Sequence, residues 1–175
     1  MNNLTIAGVV RDLSHLRAFI VAVPKKGRDG ADLRVEVSFG SHAISVGCEP
    51  GDANMVDENG KPRLFCEERY AFSSGLPTMT RKMIEQNYFC WESQDRNRAT
   101  NYAVVDLPPG PVNKLPDGDH EIIFFYLYPA DEDVVDVKFV VTSCHTRPMV
   151  FGQIKRRYNA HVLLRKCLYE RKRIP

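Results

Sequence analysis

The sequence predicts an α+β fold: an antiparallel β-sheet packed by a central helix and a basic C-terminal helix. Three observations lead there. Residues 121–128 and 134–144 are runs of Val, Ile, Phe and Tyr joined by a short acidic turn at 129–133, which is how the central hairpin of an antiparallel sheet reads. Leu33, Val35, Val37 and Phe39 alternate with Arg34, Glu36 and Ser38, the period of a half-buried strand. Two stretches, 79–86 and 151–169, lack proline and are rich in helix-forming residues; only Gly152 weakens the start of the second.

In chain order, residues 4–10 suit a strand, and Asp12 or Ser14 suits the cap of a short helix through Phe19. Lys25, Lys26, Gly27, Asp29 and Gly30 mark 24–32 as a loop. After strand 33–39, Gly40-Ser41 fits a type II′ hairpin turn, with 43–48 as the returning strand. Residues 49–63 form a long polar loop in which Asp57-Glu58-Asn59-Gly60 suits the tip of a further hairpin. That tip lacks the acidic rhythm of a calcium loop. Residues 64–72 are apolar and aromatic around Glu67, Glu68 and Arg69, whose charges read as solvent-facing ion pairs. Ser73 or Ser74 then caps a helix with Pro77 in its first turn. Short strands are expected at 88–91 and 101–107, the latter stopped by Pro108-Pro109-Gly110.

The chain has 175 residues, 43% hydrophobic and 26% charged, which fits one globular domain and excludes a disordered chain. No stretch approaches the roughly 18 apolar residues of a membrane helix. Near the start, 18–23 is too short for a secretory signal and lacks a basic lead, so a cytoplasmic location is expected, with no membrane partner. Cys48, Cys66, Cys90, Cys144 and Cys167 are odd in number and never spaced as C-x-x-C, so reduced thiols and no metal are expected. No phosphate-binding glycine loop and no G-x-S-x-G occurs, so no cofactor is expected.

Charge is divided unevenly. Residues 146–175 hold nine Lys and Arg against Glu170 alone, a net +8, while 1–145 carry −6. The expected organisation is therefore an acidic α+β body (1–145) with a basic helical segment (146–175) in a single domain. Lys155, Arg156, Arg157, Lys166 and Arg171 are candidate contacts to nucleic acid, because clustered cations draw polyanions by counterion release. An acidic partner protein and a merely solvated face are the competing readings. Phe151, Ile154, Tyr158, Val162 and Leu168 fall near one helical side and suit docking on the body.

Ser143, His145 and Arg147 alternate at the end of the last long strand and so share one face if it is extended. A hydroxyl, an imidazole and a guanidinium together suit proton transfer and stabilisation of a phosphate-centred transition state. His42 is the obvious second imidazole. The plainer reading is a polar strand end facing water.

The order of helix 79–86, strands 101–107, 121–128 and 134–144 and tail 151–173 resembles the layout of small RelE-like and barnase-like ribonuclease toxins. That resemblance implies metal-free cleavage by side-chain acid, base and cationic groups, with His145 and Arg147 at the matching positions. The run Phe65-Cys66-Glu67-Glu68-Arg69-Tyr70, with Ser73 and Leu76-Pro77, is also similar to a block in a bacterial family of unassigned function. Two functions are thus in view: a module binding nucleic acid or an acidic partner through its basic C-terminal helix, and a metal-independent ribonuclease.

Overall fold

The computed structural model of the protein describes residues 3–93, 100–106, 116–131, 134–150 and 157–174. Its strands are β1 (Asn3–Ile6), β2 (Val9–Asp12), β3 (Phe19–Val23), β4 (Leu33–Phe39), β5 (Ser45–Gly47), β6 (Met55–Val56), β7 (Pro62–Phe65), β8 (Phe89–Ser93), β9 (Thr100–Val104), β10 (Gly118–Pro129), β11 (Val137–Met149) and β12 (Arg157–Asn159). Among the described residues three α-helices accompany them: α1 (Glu67–Ser73), α2 (Leu76–Glu85) and α3 (Ala160–Glu170). The α+β class and the C-terminal helix follow the sequence reading.

Seven strands form the main sheet in the order β12-β8-β9-β10-β11-β4-β3. Every neighbouring pair is antiparallel except β11 and β4, which run parallel from Val137↔Val35 to Val141↔Phe39. A small sheet, β5-β7-β6, stands beside it, and β1 and β2 make a separate ribbon. The ribbon turns at Ala7-Gly8, both with positive φ (48° and 78°), the geometry a two-residue hairpin demands.

β10 and β11 pair along their length, as the Val/Ile/Phe/Tyr pattern predicts. Their odd-numbered residues Ile123, Phe125, Leu127, Val137, Phe139 and Val141 are buried beneath Leu76, Met83 and Ile84 of α2 and Leu163, Leu164 and Leu168 of α3. Phe125 stacks on Phe139 with ring centroids 4.3 Å apart. A second apolar cluster, Trp91, Tyr102, Val104, Ile122 and Phe124, belongs to the other face.

The pairing carries one irregularity. Phe124 is opposite Ser143 and Phe125 is opposite Val141, so Thr142 has no partner and forms a β-bulge. Its hydroxyl donates to the Phe124 carbonyl at 3.1 Å. The extra residue reverses the alternation of β11: before it odd-numbered residues face the helices, after it the buried residue is Cys144. Ser143, His145 and Arg147 therefore lie on the face away from the helices, with Tyr126 and Phe124.

Three expectations need correction. Strand 33–39 does not return on itself through Gly40-Ser41, because Gly40 N–H continues the β11 ladder to Val141 O (2.8 Å). Glu58 then holds the amide and hydroxyl of Ser41, turning the chain out of the main sheet so that β5 pairs with β7 instead. Second, within the segment expected as one helix over 151–169, the described residues 157–159 are not helical and the helix runs from Ala160 to Glu170. Residues 157–159 pair with β8 as an edge strand, which Ala160 N–H leaves by bonding Tyr88 O at 2.9 Å. Phe151 and Ile154 fall outside the described residues; Leu168 is buried as expected, but Val162 is half exposed. Third, neither Ser73 nor Ser74 caps α2: Ser73 ends α1, whose first turn bears Glu67 and Glu68 where the helix dipole favours negative charge, and Gly75 stands at the α2 N-terminus without a side-chain cap.

Beyond α3, Arg171 takes a left-handed conformation (φ 51°) and Ile174 pairs with Leu127, each donating its N–H to the other's carbonyl at 3.0 Å. This short bridge occupies the edge of β10 past Phe125, where its pairing with β9 stops.

Candidate functional site

An open cleft of about 900 Å³ lies on the sheet face away from α2 and α3, against the small sheet, the 57–60 turn and Arg69 of α1. All four residues proposed for proton transfer and charge stabilisation, His42, Ser143, His145 and Arg147, line it. The bulge at Thr142 delivers the last three; without the extra residue the same strand would turn them toward the helices. His42 comes from the short 3-10 turn Ser41–Ala43, placed by the Gly40 and Ser41 hydrogen bonds.

Each imidazole has a distinct setting. His42 Nε2 lies 3.4 Å from Asp57 Oδ2. The Asp57 side chain is 3% exposed and its Oδ1 accepts the backbone N–H groups of Lys61 and Asn59, both at 2.9 Å. Those donors, Lys61 first, and the neighbouring His42 hold the Asp57 carboxyl below the usual carboxylate range, so it stays ionised beside the imidazole. His145 stacks on Phe124, centroids 5.2 Å apart and rings within 18° of parallel. Its Nδ1 is buried without a hydrogen-bond partner. Burial, then the guanidiniums of Arg69 and Arg147, push its pKa below that of an ordinary histidine and favour the neutral ring.

Two further arginines line the cleft, and the sequence reading did not place them there: Arg63 and Arg69. Arg69 Nη1 donates to the carbonyls of His42 (2.9 Å) and Ser45 (2.7 Å), tying α1 to the loop that carries His42. Arg63 donates to Ser45 through Nε to Oγ and Nη2 to O, both 3.1 Å. Arg69 does not face solvent with Glu67 and Glu68: Glu67 pairs with Arg11, and Arg69 turns inward onto the His42 and Ser45 carbonyls. Its helical spacing to Phe72, three residues on in α1, was the available signal. Among lining residues three guanidiniums face one carboxylate, Glu58, which is engaged by Ser41. Tyr126 and Tyr128 complete one wall.

Cys144 lies behind this face, 1% exposed; burial pushes its thiol pKa up strongly, so it is no nucleophile at neutral pH. Among the described residues no three His, Cys, Asp or Glu gather as a metal site, and no helix is long and apolar enough to cross a membrane.

The five basic residues proposed for nucleic acid have separate placements. Lys155 and Arg156 lie outside the described residues. Arg157, on edge strand β12, covers the Phe89 ring at 4.3 Å. Lys166 is exposed on α3, whose buried side packs on the sheet face opposite the cleft. Arg171 donates to Ala130 O at 2.8 Å and pairs with Asp131, so it fastens the chain end to the body.

The YjaZ family model matches residues 3–168, a span that contains every residue of the cleft. The chain belongs to the YjaZ family. That description carries no activity, in keeping with the sequence-based expectation of a family without an assigned role. No curated protein and no solved structure matches this YjaZ chain, and the expected resemblance to RelE-like and barnase-like toxins finds no support from these comparisons.

Proposed function

We propose that this chain binds the phosphate-bearing strand of a nucleic acid in the cleft, with Lys155, Arg156 and Arg157 of the basic C-terminal segment supplying further contacts. One observation carries the reading: Ser143, His145 and Arg147 share a cleft with His42, Arg63 and Arg69. Guanidiniums are the side chains best matched to phosphate oxygens, since their planar forks present paired donors. Arg63 and Arg69 are already held in place by Ser45 and His42, so little freedom is lost when an anion arrives.

The test is a filter-binding titration with single-stranded RNA over a range of salt. Each phosphate contact contributes ~0.7 to the slope of log K against log salt on a single strand. Arg147→Ala should flatten the slope by ~0.7, and Lys155→Ala, Arg156→Ala and Arg157→Ala together by up to ~2. If wild type has no affinity for RNA or DNA even at low salt, the reading fails and an acidic protein partner takes its place.

A second reading, metal-independent RNA cleavage, is favoured by the two imidazoles in that cleft, one beside an ionised carboxylate and one held neutral. In it neutral His145 takes the proton of a ribose 2′-hydroxyl, and the 2′-oxygen bonds to the adjacent phosphorus. The P–O5′ bond then breaks and His42, acting as the acid beside Asp57, gives a proton to the departing 5′-oxygen. Arg147 stabilises the extra negative charge on the pentacoordinate phosphorus. The products are a 2′,3′-cyclic phosphate and a 5′-hydroxyl, both detectable after incubation with EDTA. RNA left intact by wild type, or cut equally well by His42→Ala and His145→Ala variants, removes this reading and leaves binding untouched.

A further inference from the structure

The cleft's tyrosine wall has a feature that phosphate binding does not use. Phe124, Tyr126 and Tyr128 occupy alternate positions of β10 and so stand on one face, about 6.7 Å apart along the strand by geometry. Tyr126 and Tyr128 have ring centroids 6.4 Å apart, and Tyr128 is 37% exposed within the cleft. The exposed part of a tyrosine ring on a sheet is a flat, largely apolar surface.

The chain end adds a cation to this wall. Because Ile174 pairs with Leu127 and both are buried on the helix side, strand alternation throws Arg173 to the opposite face. Its guanidinium lies over the Tyr126 ring, 4.1 Å from the centroid, and 5.6 Å from that of Tyr128. The guanidinium thus lies over both rings, closer to Tyr126, and Tyr128 keeps 37% of its surface exposed beside it.

We infer that Tyr128, flanked by Arg173, is a stacking subsite for an unpaired nucleobase, so that the ligand of the cleft is single-stranded. The inference rests on the phosphate-strand reading above. Base-paired nucleic acid presents no free base face to Tyr128, whereas a single strand offers one at every residue. Arg173 contacts the phosphate beside the stacked base and holds Tyr126 out of competition. Stacking of this kind is sequence-tolerant, because every base has a π-face.

The test compares a short oligouridylate with an abasic oligomer of the same length and charge, by fluorescence anisotropy. Wild type should prefer the base-bearing strand by about 5- to 160-fold per stacked base. Tyr128→Leu should erase that preference while keeping the salt slope; Tyr128→Phe should retain it, because the ring and not the hydroxyl is used. Arg173→Ala should lower the slope by ~0.7. A thermal melt of each variant separates lost binding from lost folding. Equal affinity of wild type for both oligomers, or a preference that survives Tyr128→Leu, overturns the stacking subsite and leaves phosphate binding standing. No affinity for either overturns both.

Discussion

Replacing Arg69 by Met removes a charge and two hydrogen bonds while keeping much of the stem's volume. Arg69 Nη1 donates to His42 O and Ser45 O, two carbonyls of the loop that presents His42 to the cleft. A hydrogen bond from a charged donor contributes about 1.5–3 kcal/mol. Arg69 is half-buried, so water can replace part of what is lost; the pair together should cost about 2–4 kcal/mol. For a domain of this size each kcal/mol moves the melting temperature by about 2–4 °C, which predicts a fall of roughly 5–15 °C. A second readout follows from electrostatics. After burial, Arg69 is the largest influence holding the His145 pKa down, so Arg69→Met should move it up toward the ordinary value. The assays are differential scanning calorimetry and an NMR titration of the imidazole Cε1–H signals. Arg69→Lys separates the two effects: it keeps the charge, so His145 should stay depressed, while the lost fork still lowers the melt. A melt within a degree of wild type, together with an unmoved His145, would refute the placement of Arg69.

Acid should weaken the fold before any carboxylate titrates. The folded pKa values of His145 and His161 lie below 6.5, chiefly through burial. The unfolded chain thus binds protons first, and stability must fall as pH drops from about 6.5 toward the folded values. His145→Gln should flatten part of that decline in chemical denaturation from pH 7.5 to 5, and an unchanged profile would count against a neutral buried ring. In the core, Phe125→Ala should cost about 3–5 kcal/mol in the same denaturation, since Phe125 is 1% exposed and stacked on Phe139.

The parts legible in the sequence are those governed by near neighbours. The central hairpin announces itself because both strands are β-branched and aromatic and their turn is short. The 57–60 tip was legible too: Gly60 has φ 74° and donates to Asp57 O, linking β6 to β7. What escaped was long-range pairing. Nothing in residues 33–39 says that their partner is a parallel strand a hundred residues later, and their alternation suits a hairpin equally well. The alternation of Ser143, His145 and Arg147 was readable, but not the direction they face. That depends on one unpaired threonine, and a bulge leaves no period in the sequence. Arg63 and Arg69 escaped because arginines among acidic and aromatic neighbours look solvated until the acceptors, Ser45 and His42, are in space.

The parallel pairing of β4 with β11 also governs when the chain can fold. β4 lies between β3 and β11, so the sheet begun by residues 19–39 waits for residues 137–149 to be synthesised. Asp136 N–H donates to Arg34 O at 2.9 Å, and Arg34 N–H returns a bond to the Asp136 carboxylate at 2.7 Å, fastening the start of that pairing. Loop-closure entropy over such a separation must be met before any of these contacts forms, so folding is expected to be slow relative to helical proteins of equal size. On the ribosome, a nascent chain ending near residue 130 would hold β3 and β4 as a hairpin with one edge of β4 unpaired. That edge, carrying Leu33, Val35 and Val37, is the stretch a chaperone or a neighbouring nascent chain would meet first.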